Sequence, residues 1–270
     1  PAGARGRLPA GVEILGGDAT GPGDWQDRLA GCDGVINLAG TPIAEGLWTG
    51  KKKQLIRRSR LATTENIVKA LAGSDKPVVL ASASAVGYYG DRGDEALGEA
   101  AESGQGFLAR LAVEWEHTAQ KAEGEHVRVA LVRIGVVLAN EGGALAKMLP
   151  AFRFGLGGPL GNGKQYFPWI HIGDLARLFL FVLDQPGIAG PVNAVAPDPP
   201  RQKEFAAALG KQLGKPAMMP LPASLLRAVM WEMADVLLSS QRVTPNVLKA
   251  AGFKFEFGEL DQALADLLGS

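Results

Sequence analysis

The sequence predicts an α/β fold built on a doubly wound parallel sheet, and three observations carry that prediction. Short apolar runs at 34–38, 78–81 and 127–138 read as strands buried on both faces. Segments with apolar residues at helical spacing, 51–73 and 107–123, separate them, so strands and helices alternate. The central run, Val78-Val-Leu-Ala-Ser-Ala-Ser84, then passes from apolar to small hydroxylated residues and on to Gly87-Tyr88-Tyr89-Gly90. In an open α/β sheet ligands bind beyond the carboxyl ends of the strands, so this strand delivers Ser82, Ser84, Tyr88 and Tyr89 to a candidate crevice. Taken alone, a strand running into a polar turn explains the segment equally well.

At 270 residues the chain suits one large α/β domain, or such a domain with a smaller appendage. Its 47% hydrophobic and 21% charged content is that of a core-forming globular protein. Basic and acidic residues number 28 each, so bulk charge gives no reason to expect nucleic acid. The single Cys32 excludes an intrachain disulfide and a cysteine-rich zinc site, and suits a reducing compartment, read as the cytoplasm. No run approaches the roughly eighteen apolar residues of a membrane helix. The start does not resemble a secretory signal. Residues 1–10 lack a methionine and read as the middle of something, so a truncated N-terminus is expected.

Residues 11–18 alternate and then turn, the pattern of a strand that sets Asp18 on the ligand-facing edge. A short helix is expected over 24–29. The strand at 34–38 ends in Asn37-Leu-Ala39-Gly40, where glycine lets a ligand approach the backbone, although a simple turn glycine fits as well. Helix 51–73 places Leu55, Ile56, Ile67, Val68 and Leu71 on its apolar side. Its basic clusters, at 51–53 and 57–60, read as a solvated face because no aromatic platform accompanies them; Arg60 is the cation to watch.

Residues 91–104 read as a polar loop or lid over the crevice. Helix 107–123 carries Leu108, Leu111, Ala112, Trp115 and Ala119 at helical spacing. Arg133, inside strand 127–138, needs a partner or a place at the crevice edge. The glycine-rich stretch 155–163 lacks the ending of a phosphate loop. Next, Phe167-Pro-Trp-Ile-His171-Ile-Gly-Asp174 leads into a helix over 175–183 with Asp174 as its N-cap. His171 is the one histidine in a setting that suggests a site. A strand at 192–195, helices at 202–213 and 223–238, and a last helix at 260–268 complete the chain.

Three of these segments together carry a resemblance: Asn37-Leu-Ala-Gly40, Ser82-Ala-Ser-Ala-Val-Gly-Tyr-Tyr-Gly90, and Phe167 to Asp174. They resemble the extended and atypical short-chain dehydrogenase/reductases. More narrowly, the chain looks like the epimerase-family branch of the NAD-dependent epimerase/dehydratases that carries a small C-terminal domain. Gly157-Gly-Pro-Leu-Gly161, Asn193-Ala-Val-Ala-Pro197, Ser240-Gln-Arg-Val243 and Ala251-Gly-Phe253 extend the match over most of the chain. The resemblance implies a Rossmann-type sheet with a smaller C-terminal α+β part. Residues 1–150 would form the dinucleotide-binding part and 151–270 the substrate side, with 175–196 returning to the main sheet. It implies NADP in preference to NAD, and no metal. Asp18 would lie near the adenine, Asn37, Ala39 and Gly40 along the dinucleotide, and Ser82 and Ala83 near the nicotinamide ribose. Ser84 would hydrogen-bond a substrate oxygen, with Arg133 and His171 in the second crevice wall.

Two departures stand out. The glycine-rich turn expected after the first strand is missing: residues 11–18 match the family's third strand, and the earlier elements would precede Pro1. Arg5 and Arg7 would then be remnants of the stretch that reads a 2′-phosphate, and poor cofactor binding, or none, is expected. The Tyr-x-x-x-Lys pair is also missing, with Phe107 or Leu108 in the tyrosine's place and Leu111 or Ala112 in the lysine's. Tyr88 and Tyr89 join Ser84 as catalytic candidates, and packed aromatics describe them equally well. The expected function is an NADP-dependent epimerase/dehydratase-like oxidoreductase acting on a small carbonyl or hydroxyl substrate. The alternative is a catalytically weak or inactive NADP-binding regulator or sensor. No nucleic-acid or membrane partner is expected; the resemblance implies that a homodimer could form through helices 51–73 and 107–123.

Overall fold

The computed structural model describes Leu8 and residues 11–29 and 31–269. Arg5 and Arg7, with the glycines beside them, lie outside the described residues. Residues 11–18 form no strand: they are irregular and mostly exposed, because no neighbouring strand among the described residues gives them a ladder.

Helix α1 (Trp25–Leu29) leads to strand β1 (Gly34–Asn37), then to the long helix α2 (Gly50–Leu71). The Thr49 hydroxyl caps α2 by accepting the Lys52 N–H at 3.2 Å. Ile56, Ile67 and Leu71 are buried, but Leu55 is 51% exposed and belongs to the outer face. Strand β2 (Val78–Ala85) runs into a 3-10 turn, Val86–Tyr89. The short β3 (Ala96–Leu97) pairs with Arg242–Val243 near the C-terminus, so residues 91–104 are tied down rather than free as a lid. Helix α3 (Phe107–Gln120) and strand β4 (Val127–Ile134) follow.

The expected strand 127–138 breaks at Gly135. A Cβ there would lie 2.8 Å from the Pro168 carbonyl oxygen, so only glycine lets the two segments come this close. Past it, β5 (Val136–Leu138) leaves the main sheet, and after helix α4 (Gly143–Arg153) it pairs with β6 (Trp169–His171). Helix α5 (Ile172–Asp184) returns to strand β7 (Gly190–Ala194), which closes the main sheet against β4. Helix α6 (Gln202–Gln212) comes next. The apolar stretch 223–238 is not one helix: it divides into α7 (Ala223–Met230), a 3-10 turn (Trp231–Ala234) and α8 (Asp235–Leu238). Strand β8 (Arg242–Val243) and helices α9 (Asn246–Ala250) and α10 (Leu260–Leu268) end the chain.

The main sheet is parallel throughout, in the order β1-β2-β4-β7. Side chains alternate across it. Val35, Val78, Leu80, Val129 and Leu131 pack with Ile67 and Leu71 of α2 and Ala119 of α3. Ala81, Ala130, Val132 and Val192 pack with Leu175, Leu178 and Val182 of α5 on the other face. The α2/α3 face changes character toward the carboxyl ends of its strands. There Asn37, Ser82, Ser84, Arg133 and Asn193 continue the rows begun by apolar residues, all of them buried. Register sets them side by side, with Asn37 opposite Ser82, Ser84 opposite Arg133 and Arg133 opposite Asn193.

Candidate functional site

The polar row holds its own partners. Arg133 Nε and Nη2 donate to the two carboxylate oxygens of Glu116 at 2.8 and 2.9 Å. Its Nη1 donates to the Tyr89 hydroxyl at 2.9 Å and to the Glu99 carbonyl at 3.0 Å. The Tyr88 ring covers the guanidinium, with its centroid 3.5 Å away. A charge only 2% exposed is tolerable here because it is paired with the Glu116 carboxylate and each guanidinium nitrogen donates a hydrogen bond. Burial alone would lower the Arg133 pKa, but the hydrogen bonds and charge of Glu116, with Tyr89, hold it above its ordinary value.

Ser84 belongs to the same cluster, donating to Glu116 Oε1 at 2.6 Å. Its proton is therefore committed inward, and the expected donation to a substrate oxygen does not occur in this arrangement. Tyr89 is fully buried and donates to Asn193 Oδ1 at 2.7 Å while accepting from Arg133. Burial raises its pKa, against the pull of Arg133. In this structure the phenol's proton is engaged with Asn193. Tyr88 serves as the lid of the guanidinium. The two tyrosines meet edge to face, 5.3 Å between centroids.

Next to this cluster, Asn37 Nδ2 donates to Thr64 Oγ1 at 2.9 Å and to Ser82 Oγ at 3.3 Å, and Trp115 Nε1 donates to the same threonine at 2.9 Å. Ala83 packs with Leu61 and Trp115. Asn37 Oδ1 accepts the Ala39 N–H at 3.3 Å and so shapes the turn that leaves β1.

The other predicted residues lie on that turn. A cavity of about 560 Å³ opens beside it, lined by Asp18, Ala39, Gly40, Thr41 and Arg58 among others. Asp18 Oδ1 accepts the Thr20 N–H and hydroxyl at 2.9 and 2.8 Å. The backbone bond, then the hydroxyl and the charge of Arg58, hold its carboxyl below the usual carboxylate range. Arg60 is not the ligand-facing cation. It is half-buried, donates to the Thr41 and Ile56 carbonyls at 3.0 and 3.2 Å, and supports the turn from beneath. A Cβ on Gly40 would come within 2.9 Å of its Cζ. Arg58, exposed, is the cation that faces the cavity.

His171 makes none of the contacts of the Arg133 cluster. Its Nδ1 accepts the Gly173 N–H at 3.0 Å, its Nε2 meets Asp266 Oδ2 at 3.2 Å, and its ring stacks on Phe257 at 3.9 Å. It is thus the N-cap of α5. Asp174, predicted for that role, sits in the first turn and accepts the Glu256 and Phe257 N–H groups, each at 2.9 Å. Both residues fasten the C-terminal segment to the fold.

Glu116, Glu99 and Arg58 are the residues that sequence reasoning missed. A signal existed for Glu116: it falls one turn after Ala112 in the apolar stripe of helix 107–123, where a carboxylate must be buried and must find a cation. Among the described residues no three acidic, cysteine or histidine side chains converge as a metal site, and no helix is long and apolar enough to cross a membrane.

The parallel sheet flanked by helices, with its polar row at the carboxyl ends, defines a Rossmann-like α/β protein with a small C-terminal part. Residues 2–194 match the model of the NAD dependent epimerase/dehydratase family, and residues 221–267 match a domain of unknown function, DUF1731. The chain belongs to the NAD dependent epimerase/dehydratase family. It is 42% identical over 248 residues to the chloroplastic epimerase family protein SDR39U1 homolog of Arabidopsis thaliana, covering 91% of this chain and 71% of that one. A crystal structure of human epimerase family protein SDR39U1 (isoform 2) with NADPH superposes with a TM-score of 0.86 at 36% identity, over 93% of this chain and 89% of that one. The nucleoside-diphosphate sugar epimerase of Corynebacterium glutamicum follows at 0.74 and 35%; the match covers 93% of this chain and about half (49%) of that one.

Proposed function

We propose that the protein binds NADP through the cavity at the edge of the sheet and acts as an oxidoreductase or epimerase on a small hydroxyl or carbonyl substrate. The observation that carries this reading is the cavity beside the Ala39-Gly40-Thr41 turn, with the Asp18 carboxylate and the Arg58 guanidinium on its wall. That set suits a nucleotide: backbone groups at close range, a carboxylate for a ribose or adenine donor, a guanidinium for phosphate. The NADPH bound by the human relative supports NADP in preference to NAD. When bound, the nicotinamide would supply the redox chemistry. The chain's own part is to fix Asn37 and the turn after β1, and to hold Ser84 through Glu116.

Titration of NADPH and of NADH, followed by nicotinamide fluorescence, tests this reading. Saturable binding that favours NADPH and weakens in Arg58→Met is expected; absence of binding by the folded protein would sink it.

One feature favours the second reading, an NADP-binding regulator or sensor of little activity. The protons of Ser84 and Tyr89 are both engaged within the fold, and Phe107 offers none. NADPH binding without consumption against a panel of small aldehydes and ketones would select it; turnover would select the enzyme. The lone Cys32 thiol supports a reducing compartment such as the cytoplasm. Val113 on α3, which is exposed, supports a homodimer through the α2/α3 face.

A further inference from the structure

We infer that residues 154–161 and 216–222, with α7, form a docking face for an anionic membrane surface. Phe154, Met218 and Trp231 would enter the headgroup layer, and the basic residues beside them would meet lipid phosphates. This face shares no residue with the Arg58 cavity, so it stands independently of the cofactor reading. Backbone bonds set its two loops side by side: the Met219 N–H donates to the Gly157 carbonyl at 3.3 Å, and the Leu221 N–H to the Pro159 carbonyl at 2.9 Å. Helix α7 begins directly after them, at Ala223. Phe154 is 81% exposed and Met218 80%, with Leu156, Met219 and Leu221 exposed beside them. Exposed apolar side chains scattered singly need no explanation, but a run of them on adjoining segments does.

Helix α7 extends the pattern. Only Ser224 and Arg227 among its residues are polar, a composition that suits a buried helix, yet Leu226 alone is buried. Leu225 and Val229, one turn apart, are exposed together. After the helix comes Trp231, with φ 52° and ψ −134°, the single non-glycine residue at positive φ among the described residues. An L residue is strained there, and Trp231 is 70% exposed, so little packing offsets the strain. The fold gains nothing by holding an indole outside, whereas the boundary between lipid and water suits one.

Charge decides what covers this face. Residues 142–173 and 205–231, which contain it, hold none of the chain's 28 acidic residues, but carry Lys147, Arg153, Lys164, Lys211, Lys215 and Arg227. Lys211 is taken by Asp261, and Arg227 lies 3.9 Å from Asp235. Arg153, beside Phe154, and Lys215, just before Met218, are exposed and make no ion pair among the described residues. Glu232, the next acid in the chain, is engaged by Lys53. A second copy docked by two-fold symmetry would set basic groups against basic groups. A bilayer containing anionic lipid receives projecting side chains without a preformed pocket, and its phosphates match the cations. Whole-chain totals predict no membrane partner because they average over this local imbalance.

Co-flotation of the whole chain with vesicles tests the docking face. With phosphatidylcholine and phosphatidylserine in a roughly 7:3 mixture, binding is expected to be about fivefold or more above that with phosphatidylcholine alone, and to weaken as salt rises. Phe154→Ser with Met218→Ser, and separately Arg153→Gln with Lys215→Gln, are each expected to weaken it about tenfold. These side chains are exposed, so urea unfolding and NADPH titration of both double variants should match the original protein. Trp231→Gly, which relieves the positive φ, is expected to weaken vesicle binding while the fold becomes no less stable. Absence of flotation by the folded protein would overturn the inference. So would binding that neither double variant changes, or self-association in sedimentation velocity that Phe154→Ser with Met218→Ser abolishes. Retention on a poly-glutamate resin without flotation would assign the face to an acidic partner and overturn it equally.

Discussion

The carboxyl edge of the sheet contains two polar regions that treat their side chains in opposite ways. Around Arg133 the polar groups meet one another inside the protein: Ser84 and Arg133 bond Glu116, Arg133 bonds Tyr89 and the Glu99 carbonyl, Tyr89 bonds Asn193, and the aromatic ring of Tyr88 covers the charge. Around Gly40 the backbone turns outward beside a cavity, and the Arg58 guanidinium faces solvent. The difference teaches which polar groups the fold leaves free for a ligand. Groups whose bonds are complete hold the strands and α3 in place, because disturbing them uncovers buried charge. Groups whose bonds are incomplete are those a ligand can complete.

Breaking the first region is expected to have the largest effect. Glu116→Ala would strand the buried Arg133 and lower stability by about 3–5 kcal/mol, read by urea unfolding. Tyr89→Phe removes one of the two acceptors of Arg133 Nη1 and the donor to Asn193 Oδ1 together, and is expected to cost about 1–3 kcal/mol in the same assay. If Tyr89→Phe instead left stability intact and abolished turnover, the phenol would regain a catalytic role. Arg58→Met sharpens the contrast from the other side. It is expected to weaken NADPH binding about tenfold, the size of one charge-assisted phosphate contact, while stability stays within about 0.5 kcal/mol. Ser84→Ala should be the mildest, about 1 kcal/mol in stability with NADPH affinity unchanged, since Glu116 keeps both bonds from Arg133. A tenfold loss of NADPH affinity in Ser84→Ala would mean that the two regions work as one site.

Much of this was legible before any tertiary contact was known. The passage from Leu80 to Ser82 and Ser84 marks where a buried strand emerges, and Ala39-Gly40 marks a turn open to close approach; both follow from local rules of alternation and backbone freedom. Less legible was which of these residues would be consumed by the fold. Ser84 and Tyr89 are the residue types that catalysis uses, and their chemistry alone cannot say that Glu116 and Asn193 take up their hydrogen bonds. Arg58 and Arg60 are two residues apart in one helix, and only the packing of α2 turns Arg60 beneath the Gly40 turn and Arg58 toward the cavity.

By itself the sequence determined the alternation of strands and helices, the parallel sheet, and the polar ends of its strands. Those depend on periodicity and on the small set of backbone conformations each residue allows. Tertiary structure alone decided the rest: the pairing of Arg133 with Glu116, the departure of β5 at Gly135, the use of His171 as a helix cap, and the break of 223–238 at Trp231. Each is a choice among partners that are equally acceptable locally. Such choices are made by what lies across space: a carbonyl oxygen 2.8 Å from an absent Cβ, or a carboxylate on the next helix.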